Sequence, residues 1–240
     1  MGKSVGFRRD IKGAWFDDVA ALRVSTSDVG DIRKRLDDQL ATHIPGPENR
    51  AITIQILLRI WAKPAPEAEA LYREAVARFA AAETAADRIW LHYGLTLLAY
   101  PFFRDAVVQA GLILRRRGHI GNALLKGRII AEIGQLGSLE NASKAVMFAL
   151  RQWGAIVPGE KRGLYAAGAP LATGDPGLEA WFVRCALQAH RADGLPVGDL
   201  LGWPALFPFQ LSLSAGDLRR TPYLELQRQG GNIDIIRAVP

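Results

Sequence analysis

Cysteine is nearly absent: Cys185 is the only one in 240 residues. No intramolecular disulfide can form, which fits a reducing compartment and leaves the fold to its hydrophobic core. Long hydrophobic runs are missing too. The longest, "IWLHYGLTLLAYPFF" at residues 89–103, stops at Arg104 and Asp105. A bilayer helix needs roughly 20 apolar residues, so this run reads as a buried helix. The opening "MGKSVGFRRD" has no signal-peptide core. A cytoplasmic protein without membrane contact is expected. Histidine is sparse and scattered: His43, His92, His119 and His190. None stands four residues from another, and Cys185 and His190, five apart, fall on different sides of a helix. No metal site and no cofactor are expected. His119, beside Arg117, reads first as a partly exposed loop histidine, and second as an addition to a phosphate contact.

The usual marks of catalysis are also lacking. There is no G-x-S-x-G and no G-x-G-x-x-G, and "GKS" at residues 2–4 lacks the strand and glycine spacing of a phosphate loop. Asp17-Asp18 and Asp37-Asp38 are adjacent pairs that point to different sides of a helix, a poor arrangement for paired acid–base work. Ser25 and Ser27 read as helix-start residues. No catalytic residue is assigned, and the protein is not expected to be an enzyme.

What the chain does have is a local excess of positive charge. The composition, 49% hydrophobic and 22% charged, is that of a globular protein with room for a substantial core. The net charge is +6. Between residues 102 and 168, ten lysines and arginines stand against four acids, so this stretch carries the whole excess. A surplus gathered on one module is the electrostatic footprint of a polyanion site.

Hydrophobic periodicity predicts a mainly helical chain. Ser27 can cap a helix carrying Val29, Ile32, Leu36 and Leu40, which Pro45 and Pro47 end. Further helices are expected in residues 48–62, ending at Lys63-Pro64-Ala65-Pro66, and in 67–83. One starting at Thr84 is broken or bent at Pro101. Residues 178–194 form one amphipathic helix, and alternation around Gly230-Gly231-Asn232 predicts a C-terminal β-hairpin. The six tryptophans mostly sit on apolar stripes, so core packing is the default for each; Trp15, next to Phe16 near the start, is the one candidate for a partner contact.

The stretch "SLENASKAVMFALRQWGAIVPGEKRGLY", residues 138–165, is the most informative. Ser138 reads as an N-cap. Leu139, Ala142, Val146, Ala149, Leu150 and Trp153 share one face, and Glu140, Asn141, Ser143, Lys144, Arg151 and Gln152 the other. Gly154 is placed to end the helix. "AIV" and "LYAA" read as short strands around the basic turn "PGEKRG". Upstream come a helix over 102–117, an apolar link "GHIG", a second helix "NALLKGRIIAEIG" and a tight turn. That order predicts a winged helix-turn-helix-like module at residues 88–170. It lies between an N-terminal helical region, 1–87, and a C-terminal extension of helix and β-hairpin, 171–240. In that geometry the third helix enters the major groove and the turn meets phosphate. Asn141, Lys144 and Arg151 are the candidate groove residues. Arg115, Arg116, Arg117, Lys161 and Arg162 are the candidate phosphate contacts, with double-stranded DNA as the partner; the arginine run, at a helix end, reads equally as cations that favour the helix dipole.

The same residues carry a resemblance. The run at 89–107, with Tyr100-Pro101, and the later helix closing on Trp153-Gly154-Ala155-Ile156 are similar to BrxA proteins of BREX bacteriophage-exclusion systems, and "DIRKRLDDQL" at 31–40 resembles their basic N-terminal helix. The likeness covers roughly residues 25–160. It implies a small, non-enzymatic, all-helical DNA-binding component of a phage-defence system, partnered by other subunits of a defence complex and related in shape to NusB-like helical domains. Two other readings stand beside it. One is a protein-interaction scaffold using the apolar, proline-broken residues 200–209 and the terminal hairpin. The other is RNA binding by the N-terminal helices.

Overall fold

The computed structural model describes residues 6–82, 84–135, 137–190, 192–230 and 233–239. The chain is mainly helical. Helices α1 (Gly13–Ser25), α2 (Val29–Leu40), α3 (Pro47–Trp61), α4 (Glu69–Ala81) and α5 (Ala85–Ala99) come first. Next are α6 (Pro101–Arg117), β1 (His119–Gly121), α7 (Asn122–Ile133), α8 (Leu139–Gln152), β2 (Ile156–Pro158) and β3 (Leu164–Ala167). The last part holds α9 (Pro176–His190), β4 (Leu195–Pro196), α10 (Val197–Leu201), α11 (Ala215–Arg220), β5 (Leu224–Gln229) and β6 (Ile233–Ala238). The strands form two small antiparallel sheets, ordered β1-β3-β2 and β4-β6-β5.

Local chemistry sets most of the helix ends. Thr84 caps α5, its hydroxyl accepting from the Asp87 amide at 3.1 Å. The expected Ser27 cap is replaced by Asp28, whose carboxylate accepts from the amides of Gly30 and Asp31 at 2.7 and 3.3 Å. Pro47 and Pro101 both stand in the first turn of their helices, where the missing amide hydrogen is no loss. Tyr100 is extended, so α6 is a new helix, set at 117° to α5. Among the described residues no single helix is long and apolar enough to cross a membrane.

Helix α5 is the centre of the molecule: Trp90 through Leu97 are all buried. Helix α9 crosses it, placing Trp181 and Phe182 against Gly94. One hydrophobic cluster runs from Phe7 to Ile236 and draws on all three predicted regions. Helix α1, not anticipated from the sequence, belongs to it. Trp15, 6% exposed, follows the core packing expected of the tryptophans and is not a partner surface, and Phe16 beside it is fully buried.

The C-terminal extension contains the predicted hairpin, with Leu226 opposite Ile236. Gly231 and Asn232 lie outside the described residues. Residues 200–209, the apolar part of the scaffold reading, are partly covered. Leu200, Ala205, Leu206 and Phe209 are buried, the Phe209 ring lies 4.6–4.8 Å from the rings of Trp90, Tyr93 and Phe182, and Tyr93 Oη donates to the Ala205 carbonyl at 2.7 Å. The segment covers α5 and α6 with these four residues, while Leu201, Trp203, Pro204, Phe207 and Pro208 stay half-buried.

Candidate nucleic-acid interface

Three helices, α6, α7 and α8, pack around the β1-β3-β2 sheet. The link "GHIG" is itself a strand: Ile120 and Gly121 are buried, and β1 joins β3 with His119 opposite Ala166 and Gly121 opposite Leu164. Three residues are too few for an alternating pattern to be visible in sequence. A Cβ on Gly121 would come within 3.0 Å of Leu164 and 3.2 Å of the Gly163 carbonyl. The start of α7 therefore abuts the turn between β2 and β3.

Helix α8 buries Leu139, Ala142, Val146, Ala149 and Leu150, with Trp153 buried just beyond its end, as its periodicity requires. Gly154, at φ 68°, closes it: its amide donates to the Arg151 carbonyl and the Ala155 amide to the Leu150 carbonyl. Ser138 departs from expectation. Its backbone is left-handed, at φ 64°, and its side chain makes no capping bond. Ser143, expected on the outer face, is buried, its hydroxyl donating to the Glu140 carbonyl at 3.1 Å. The outer strip thus narrows to Glu140, Asn141, Lys144, Arg151 and Gln152, all exposed.

The candidate cations fall into separate groups. Lys161 and Arg162 are exposed on the β2–β3 turn and are in no salt bridge among the described residues. Lys144 lies 3.1 Å from Glu140, whose other oxygen accepts from Lys126 of α7 at 2.5 Å. These two lysines hold the Glu140 carboxyl below its ordinary pKa. Arg151 sits over the Tyr165 ring, 5.2 Å from its centre. Next to it, Gln152 accepts from the Gly13 amide at 3.0 Å, so the segment entering α1 runs beside the end of α8. Asp10 of that segment has its carboxyl raised by desolvation, against the pull of Arg151 and Lys144. The Arg115–Arg117 run is elsewhere. It precedes His119, at the end of the sheet away from the 159–163 turn, and Arg115 donates to the Gly202 carbonyl at 3.1 Å.

Lys126, Glu140 as a bridge, Asp10 and Tyr165 were not among the sequence-derived site residues. The Glu140–Lys144 spacing of four is legible on a helix. The approach of Lys126 is not, because it depends on how α7 packs against α8.

A second polar cluster lies at the core. Trp61 Nε1 donates to His92 Nδ1 at 3.2 Å, and His92 Nε2 lies 3.1 Å from Asp17 Oδ1. An indole nitrogen can only donate, so Nδ1 is unprotonated and Nε2 carries the proton toward Asp17. His92 is thus a neutral structural histidine. Burial lowers its pKa, partly offset by Asp17; Asp17 in turn is pulled up by desolvation but held below its usual value by His92 and Arg88. For the histidine, the unfolded chain binds the proton first as pH falls below about 6.5. For the aspartate, stability is lost only below its ordinary range near 4. Both groups therefore favour the folded state at neutral pH over acid. The melting temperature is expected to drop between pH 7 and 5, and His92→Gln to flatten that slope in a pH series of thermal melts.

Burial likewise pushes the Cys185 thiol well above its ordinary pKa, leaving it protonated and unreactive. No group of three His, Cys, Asp or Glu among the described residues is arranged to hold a metal ion. Compared with known proteins, the chain matches no family model, no curated protein and no solved structure.

Proposed function

We propose that the protein is a non-enzymatic, cytoplasmic DNA-binding accessory protein in which α6, α7, α8 and the β1-β3-β2 sheet act as a winged helix-turn-helix. The observation that carries this reading is connectivity combined with charge. A strand between the first and second helices pairs with the last strand, and the turn between the last two strands presents Lys161 and Arg162 free to solvent. A helix fits the major groove, and α8 offers Asn141 and Lys144 there, while the turn reaches the backbone. On this reading the Arg115–Arg117 run stands outside the contact, since it precedes His119, which pairs with Ala166, while Gly121 pairs with Leu164 next to the turn. The likeness to BrxA proteins adds the biological setting, a phage-defence complex whose other subunits are the protein partners. The alternative, a protein-interaction scaffold, has only part of residues 200–209 at its disposal, since Leu200, Ala205, Leu206 and Phe209 are packed inward while Leu201, Trp203 and Phe207 are half-buried.

Fluorescence anisotropy on random duplex DNA at two salt concentrations tests the proposal. The expected dissociation constant is ~10⁻⁴–10⁻⁶ M near physiological salt. Contacts from Lys144, Lys161 and Arg162 give a log–log salt slope of about −3. Absence of salt-dependent binding overturns the reading.

A further inference from the structure

The outer face of α8 is not the uniformly positive surface that a phosphate contact alone would call for. Glu140, in its first turn, holds two ammonium groups, Lys126 from α7 and Lys144 from α8, one on each carboxylate oxygen. Its side chain is 47% exposed. Exposed ion pairs contribute little to stability. For a surface that only gathers phosphate, the arrangement is counterproductive, since one acid cancels a charge and occupies two lysines.

A carboxylate at this place has a different competence. On the major-groove edges of duplex DNA the hydrogen-bond donors are the amino groups of cytosine and adenine, and a carboxylate accepts from cytosine N4. Asn141, exposed beside it, has the donor and acceptor that match adenine. The flanking lysines leave the cluster at a local charge of +1, so the acid can approach a polyanion, and they fix its oxygens before DNA arrives. Resting on the winged-helix reading above, we infer that Glu140, positioned by Lys126 and Lys144, is a specificity-determining residue that selects a cytosine, with Asn141 reading a neighbouring base. Binding is then sequence-selective and not merely electrostatic.

Selection from a randomised duplex library, followed by anisotropy on the recovered and scrambled duplexes, tests this with the wild type and Glu140→Gln. The wild type is expected to enrich duplexes with a fixed C·G pair and to discriminate roughly tenfold at that position. Glu140→Gln removes a negative charge and frees two lysines, so binding to scrambled duplex tightens several-fold. The same change loses the cytosine preference and shifts it toward adenine, which a glutamine amide matches. If Glu140→Gln tightens binding to every sequence alike and leaves the wild-type preference intact, Glu140 is only a staple between α7 and α8 and the inference fails. A wild type that binds duplex without any preference also overturns it while leaving the DNA-binding proposal standing. A wild type that binds no duplex overturns both.

Discussion

Lys161→Glu combined with Arg162→Glu is expected to weaken binding to duplex DNA about 100-fold, for all sequences alike. Both residues are exposed on the turn between β2 and β3, and neither is engaged by an acid of the chain among the described residues. A hydrogen bond to a charged group contributes about 1.5 kcal/mol or more. Two such contacts amount to roughly two decades of affinity at 1.4 kcal/mol per decade. The salt slope should flatten by about 2. Circular dichroism should be unchanged, since neither side chain supports the core. The control is Arg116→Glu with Arg117→Glu. It makes the same change in net charge at the other end of the sheet, where β1 begins. If the proposed face is right, this control alters affinity only through the weak long-range field. Equal losses from both double variants would mean that binding follows net charge and not the turn.

The contrast between those variants also marks what the sequence can and cannot say. Helix α8 is legible because its apolar residues recur over four turns, and its end because Gly154 readily takes the left-handed backbone that closes it. The terminal hairpin is legible by alternation on both strands. Strand β1 is not, because its pairing with β3 is non-local and only three residues long. Helix α1 hides because Arg23 falls in line with its buried positions while apolar Ala21 and Val24 are exposed, which blurs the contrast between its faces; Asp17 accepts a hydrogen bond from His92. Residues 200–209 show the limit of composition. Their apolarity says that they need cover, and only the fold says that α5 and α6 provide it. At the candidate site, charge could be counted from sequence but not placed. Glu140 looks like an ordinary acid until α7 brings Lys126 to it, and Arg151 looks like a groove residue until β3 sets Tyr165 beneath it.

The cover over α6 yields the second large expected effect. Gly111, in the middle of α6, lies under the 3-10 turn Pro204–Leu206, and a Cβ there would stand 2.1 Å from the Pro204 carbonyl oxygen. That neighbour is backbone, so it cannot swing aside as a side chain would. Gly111→Ala must lift the turn, and the turn carries three attachments. The Ala205 carbonyl accepts from buried Tyr93, Phe209 packs among Trp90, Tyr93 and Phe182, and the Gly202 carbonyl accepts from Arg115. Overpacking costs about 1–3 kcal/mol, and an orphaned buried hydroxyl adds about 1–3 kcal/mol. A net loss of about 3 kcal/mol corresponds to a melting temperature lower by roughly 6–12 °C for a chain of this size. Gly127→Ala is the matched opposite. Gly127 is exposed in α7 with nothing within 4 Å of an added Cβ, so the methyl group only improves helix propensity. It should raise the melting temperature by roughly 1–4 °C. Differential scanning calorimetry of the two variants separates a glycine required by close approach from one that is not. If Gly111→Ala melts with the wild type, the Pro204 turn does not rest on α6 in solution, and residues 200–209 are free to meet a partner after all.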